Sequence, residues 1–289
     1  MKQNPFSFYD FLGYMLPGAV LLYILTFVFG VDSLVVMLNS AEAKNSAASQ
    51  LFNFIPAVIG AYLIGHILAI GSSSVIEAFT NYSNGYPSEF LFAVKSKRYL
   101  SSNSVSGNIG RIILWLLIFP ISLLKTLLKD ILKIKMFNQA KSLPKPLREA
   151  TFSKCKTILN DQVGVNTASM EIDKGIDGDY LRLLYHFIFE NSERHSAKLQ
   201  NYVALYGLTR NVSFVFVLVF WGCLYSYFFI EGTNVGLYHI AVFAVLAYVF
   251  YIGFVKFYRR YSLEAVMAAT VYTAKNIPPK PVHKAFKRN

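Results

Sequence analysis

FIPAVIGAYLIGHILAIGSSSVIE, residues 54–77, decides how the rest of the chain is read. A helix needs roughly 20 apolar residues to cross a hydrocarbon core about 30 Å thick, and this stretch supplies them. Small residues recur along it at every fourth position: Ala57, Ala61, Gly65 and Ala69, then Ser73. On a 3.6-residue helix they make a ridge that lets another backbone approach closely, the means by which helices associate in lipid. Beside the ridge, His66, Ser73 and Glu77 fall on a second face. Polar groups at membrane depth are costly without partners, so this face reads as a proton or ion path or as a set of interhelical hydrogen bonds.

Working outward, three further apolar runs stand at about 12–31, 208–230 and 235–255. The chain is 54% hydrophobic and 16% aromatic with a mean hydropathy of +0.41, well beyond an ordinary soluble domain. The expected fold class is therefore all-α: a polytopic membrane protein with four transmembrane helices in two hairpins and a helical cytoplasmic insert. Residues 1–79 form the first hairpin, 80–206 the insert, 207–256 the second hairpin, and 257–289 an amphipathic helix with a basic tail.

Net charge is +12, and 17 of the 28 Lys and Arg residues fall within 80–206, whereas the presumed outer loops hold only Lys44. That asymmetry is the positive-inside pattern, so the insert and both termini are expected on the cytoplasmic face of the inner membrane. Anionic lipid head groups become expected partners, at about 1 kcal/mol per basic residue near the surface. Nucleic acid stays open as a further partner of so basic a chain. A cleavable leader is not expected, because the apolar run over 11–38 far exceeds an h-region of about 7–15 residues. Cys155 and Cys223 fall in different settings, which argues against a disulfide and offers no metal spacing.

IILWLLIFPISLLKTLL, residues 112–128, is the ambiguous stretch. If it crossed the bilayer, the lysines that follow would lie outside, so an interfacial or re-entrant helix over 112–137, broken at Pro120, is expected. Lys125, Lys129 and Lys133 repeat opposite Leu124, Leu128 and Ile131 and would form an interfacial basic face. Residues 81–110 read as loop from their Ser, Asn and Gly content. Asp179 reads as the cap of a helix starting at Tyr180, and a helix from Glu193 runs on into the third span.

Arg210, at the inner end of that span, is expected to pair with Glu77 or Asp10 and so join the hairpins. The acidic run Glu171, Asp173, Asp177, Asp179 lacks the alternating ligand pattern of a calcium loop. Arg182 with His186, and Arg194 with His195, have no partner fixed by sequence. Phosphate-loop, nucleophile-elbow, zinc-protease and dinucleotide motifs are all missing, so no catalytic residue, metal or cofactor is assigned.

FYDFLGYMLPG (8–18), ALYGLTRN (204–211) and FYRRYSLEAV (257–266) resemble segments of a diffuse group of uncharacterised bacterial inner-membrane proteins. The resemblance implies a role in phage defence, as a membrane partner or membrane-disrupting effector. The expected function is then non-enzymatic: a homo-oligomer assembled through the Ala57/Ala61/Gly65/Ala69 ridge, coupling a cytoplasmic protein partner or signal to the membrane. Two alternatives are an ion-coupled transporter or channel using His66 and Glu77, and a membrane-anchored enzyme with its site in the insert.

Overall fold

The computed structural model describes residues 7–30, 47–94, 99–101, 104–134 and 141–272, all helix and connecting turns among those residues. Four helices are long and apolar enough to cross a membrane. The first, α1 (residues 8–29), opens with a capping box in which the Asp10 carboxylate accepts from Ser7 N and Oγ at 2.9 and 2.7 Å. Pro17 lies inside this helix and not in its first turn. It brings no N–H to the carbonyl of Gly13, four residues back. The backbone responds with a π-turn over Phe11–Met15, where Leu16 N bonds Phe11 O.

The second span, α2 (residues 47–84), starts before Phe54 and also carries a π-turn, over Ser73–Glu77. Three consecutive serines precede or open it. Ser72 Oγ donates to Ala69 O, and Ser73 and Ser74 Oγ donate to Ile70 O, at 2.8–3.1 Å. Hydroxyls bonding back to carbonyls compete with the helical ladder and disturb it, which gives a local cause for the wide turn.

The stretch expected as loop over 81–110 is helical at 14 of its 24 described residues: α2 runs to Asn84, α3 covers Pro87–Phe90, and α4 covers Val105–Leu117. One serine of this region caps a helix: Ser104 Oγ accepts from Gly107 N at 3.0 Å. Helix α4 and α5 (residues 119–131) are bent at 89° to each other, with the break at Ile118 just before Pro120. Two carbonyls freed at the break are satisfied within the protein. Ser122 Oγ donates to Trp115 O at 3.3 Å, and Trp221 Nε1 of the third span donates to Leu117 O at 2.8 Å. Irregular backbone in an apolar setting requires such partners.

After α6 (Lys145–Asp161) and α7 (Gly178–Asn191) come two long helices, α8 (Glu193–Phe229) and α9 (Leu237–Val271). They share the most extensive helix contact among the described residues. The cap of α7 is Asp177 and not Asp179: its Oδ1 accepts from Asp179 N at 2.9 Å. The tail beyond Tyr272 lies outside the described residues.

Two cores result. One joins the four spans and the broken pair, with Ile76, Ile118, Ile121, Val215, Cys223 and Phe254 fully buried. The other gathers α3, α6 and α7 around the first turns of α8 and the last turns of α9, where Leu199, Ala265, Val266 and Ala269 are buried. Cys155 lies in this second core with its Sγ 3.8 Å from Val266 O, and burial pushes its thiol up to about 12.

Candidate functional site: a buried polar node under an open cleft

The small-residue ridge is filled from within the chain. A Cβ on Gly65 would collide with the Tyr14 backbone, and one on Gly18 would collide with the carbonyl of Ala61. Helices α1 and α2 therefore cross backbone to backbone at Ala61 and Gly65, and this part of the ridge is not free to receive a second copy. Its expected use as the assembly surface is corrected accordingly. Ala57 sits half-buried nearer the helix start, and Ala69 contributes its carbonyl to the network described next.

Below the crossing, Arg210 and Asn211 of α8 meet both π-turns. Asn211, fully buried, donates from Nδ2 to Gly13 O at 2.6 Å and accepts at Oδ1 from the Ser72 hydroxyl. Arg210 donates from Nε to Ser72 Oγ at 3.1 Å, from Nη2 to Ala69 O at 3.5 Å and from Nη1 to Glu77 Oε2 at 2.5 Å. From α9, Tyr258 Oη donates to Glu77 Oε1 at 3.4 Å. All four spans are thus joined through one cluster. It is strongly bound, because each charged group meets a charge-assisted partner in low dielectric.

Each π-turn has a visible role here. Pro17 leaves the Gly13 carbonyl without its α-helical donor, and Asn211 takes the vacant acceptor. In the second turn, bonds from residue i to i+5 bring residues five apart onto one face, so Ser72 and Glu77 align. A regular helix would align Ser73 with Glu77, as the seven-and-four spacing suggested. Ser73 instead bonds its own helix at Ile70 O. His66 is separate again, stacked on the Tyr14 ring at 3.9 Å between centroids with Tyr62 edge-on at 4.6 Å. The expected His66/Ser73/Glu77 face does not exist as a unit. Of the two acids considered for Arg210, the structure brings Glu77 to it, while Asp10 stays in its capping box.

The basic face expected at Lys125, Lys129 and Lys133 is also altered. Thr126–Ile131 forms a third π-turn, which breaks the four-residue repeat. Lys125 Nζ lies 4.8 Å from the Phe79 ring centroid, Lys133 ends the segment with φ +51°, and the Lys129 side chain lies outside the described residues.

On the insert side, the node opens into a cleft of about 550 Å³. Glu77, Tyr206 and Tyr258 form its deep end, Tyr261 and Asn81 its walls, and Asp177, Asp179 and Arg182 at the start of α7 its rim. Tyr206 lies between the two levels, with the Arg210 guanidinium 5.9 Å from its ring and Tyr258 at 5.5 Å centroid to centroid. Glu89 accepts from Tyr86 N at 3.1 Å, closing the box at the start of α3. Nothing in the sequence pointed to Tyr206, Tyr258 or Tyr261, since aromatic residues are common throughout the chain and only the fold aligns these three. A second link between α8 and α9 was equally hidden: His195 Nδ1 lies 2.9 Å from Glu264 Oε1.

The three stretches that carry the resemblance, residues 8–18, 204–211 and 257–266, all meet at this node through Gly13, Arg210 with Asn211, and Tyr258. The fold and node define a helical protein with four membrane-length apolar helices joined by one buried polar cluster. No family model, curated protein or solved structure matches the chain.

Proposed function

We propose that this is a non-enzymatic inner-membrane protein that couples a signal or partner at its cytoplasmic insert to the arrangement of its spans. The observation that carries this reading is the continuity of α8 and α9. Each forms part of the insert core at one end and of the span core at the other, and the Glu77–Arg210 pair sits where the two regimes meet. A change in packing around α7 has no flexible joint in which to dissipate before it reaches the node. In this reading the spans form two hairpins with the insert and both termini in the cytoplasm, which the distribution of Lys and Arg supports. The broken pair α4–α5 enters the bilayer as a re-entrant element. Its Leu117 carbonyl meets Trp221, eleven residues and so about 16 Å along α8 from Arg210. Anionic head groups are partners of the basic insert, and the resemblance to the diffuse group of uncharacterised inner-membrane proteins supports membrane perturbation as the output.

Binding fits the cleft better than turnover. Glu89 and Asp177 are occupied as helix caps, Glu77 is held by Arg210, and no histidine lines the walls. A coupled ion held jointly by His66 and Glu77 is disfavoured by the same geometry, because His66 is stacked on Tyr14 with Tyr62 edge-on and shares no contact with Glu77.

Hydrogen exchange on the full chain in detergent tests the coupling. Glu77→Gln, and Tyr258→Phe as a milder change, should reduce amide protection in residues 178–191 as well as around 69–77. Loss confined to the spans would sink the proposal.

A further inference from the structure

We infer that the cleft between the node and α7 binds a small organic cation bearing an ammonium group, held between tyrosine rings and carboxylates. The inference rests on the coupling reading for its consequence and on the cleft itself for its chemistry.

The charge of the lining is reversed relative to the rest of the protein. The chain carries +12 overall, yet four carboxylates, Glu77, Glu89, Asp177 and Asp179, line the cleft; Arg210 neutralises Glu77 from below and Arg182 stands at the rim, which leaves an excess of two negative charges. Field lines from acidic groups in a recessed, low-dielectric site focus on its interior and concentrate cations there. An anionic ligand would meet the opposite potential.

The walls select the kind of cation. Tyr206, Tyr258 and Tyr261 form a continuous aromatic surface, with Tyr206 at 5.5 Å from Tyr258 and 5.8 Å from Tyr261. Ring faces attract ammonium groups within about 6 Å and favour them over small hydrated metal ions, because the alkyl part packs as well. Tyr206 already receives Arg210 at 5.9 Å from below. A metal is disfavoured on independent grounds: among the described residues no three His, Cys, Asp or Glu side chains converge.

The volume of about 550 Å³ falls within the range of small-molecule sites.

The position of the cleft gives the ligand a route to the spans. A cation at the deep end shares Glu77 with Arg210 and weakens the bond that ties α8 to α2. Occupancy of the cleft and integrity of the node are then linked, and each biases the other by the same factor.

The test is calorimetric titration of the full chain in detergent at fixed ionic strength. Putrescine and tetramethylammonium serve as cationic probes, and AMP and sodium chloride as controls. Saturable binding of at least one cationic probe is expected, with none of AMP. Asp179→Asn, at the exposed rim, and Tyr261→Leu, in the wall, should each weaken it by about tenfold or more. Absence of saturable binding by both cations, binding of AMP in their place, or affinity unchanged in both variants would each overturn the proposal. These outcomes are separable from the coupling reading, which is measured by hydrogen exchange on ligand-free protein. If exchange couples the insert to the spans while neither cation binds, the coupling stands and the ligand class is wrong.

Discussion

In the spans, Ile67 and Ile70 point outward at 69% and 71% exposure while Ser72, close by on the same helix, is fully buried. In the insert the order is inverted: Leu184 and Ile188 are fully buried, and Lys174 pairs with Glu171 at the surface. On the proposed topology the two cores answer to different solvents. Where lipid surrounds a helix, burying leucine gains little, so close backbone contact and polar pairing must fix the arrangement. Where water surrounds it, apolar burial supplies about 25 cal/mol per Å² and polar groups stay outside. Helices α8 and α9 pass through both regimes, and the Arg210 node lies at the change.

Four substitutions can break or sharpen that contrast, each read by thermal or denaturant unfolding in detergent. Arg210→Met should have the largest effect, about 4 kcal/mol, because it leaves the half-buried Glu77 carboxylate without its cation. Adding Glu77→Gln to that variant should recover most of the loss; a cost below about 1 kcal/mol for Arg210→Met alone would show that the pair does not hold the spans.

Leu184→Ala should follow, at about 3 kcal/mol for a fully buried leucine in the water-facing core. Because α8 and α9 belong to both cores, unfolding should remain a single transition. Two separated transitions would show that the insert and the spans are independent.

Gly65→Ala should cost about 2 kcal/mol, since the new methyl meets the Tyr14 backbone. Gly60→Ala on the same helix meets nothing within 4 Å and should be neutral or gain up to about 1 kcal/mol from helix propensity. Equal behaviour of the two would contradict the intramolecular crossing. The smallest effect, about 1 kcal/mol, is expected for Glu264→Gln, which weakens the partly exposed link to His195.

The membrane-length helices were legible because long apolar runs need no tertiary information. The continuity of α8 from Glu193 followed likewise from helical spacing with no Pro before Phe229, Gly207 and Gly222 being carried inside the helix. The first turns of α4, residues 105–110, were misread as loop because Ser and Gly count as breakers, although Ser104 acts as a cap; its later part was expected as helix from Ile112 on. The node was half legible. A lone arginine at the end of a span calls for an acid, and Glu77 was within reach. Ser72 was missed for Ser73 because a period of 3.6 residues per turn does not hold through a segment that is π-helical. The Gly13 carbonyl left a faint sign in Pro17, four residues on.

What the amino-acid sequence determined by itself is the set of properties that are local or additive: four apolar helices of membrane length, an asymmetry of charge, and a break near Pro120. Tertiary structure alone decided which surfaces were already taken. A small-residue ridge has the same composition whether it meets its own chain or another, and only the fold shows Gly18 and Tyr14 filling it. The cleft is likewise nonlocal, since Glu77, Asp179, Tyr206 and Tyr261 are scattered along the chain and acquire a common field only where α2, α7, α8 and α9 converge.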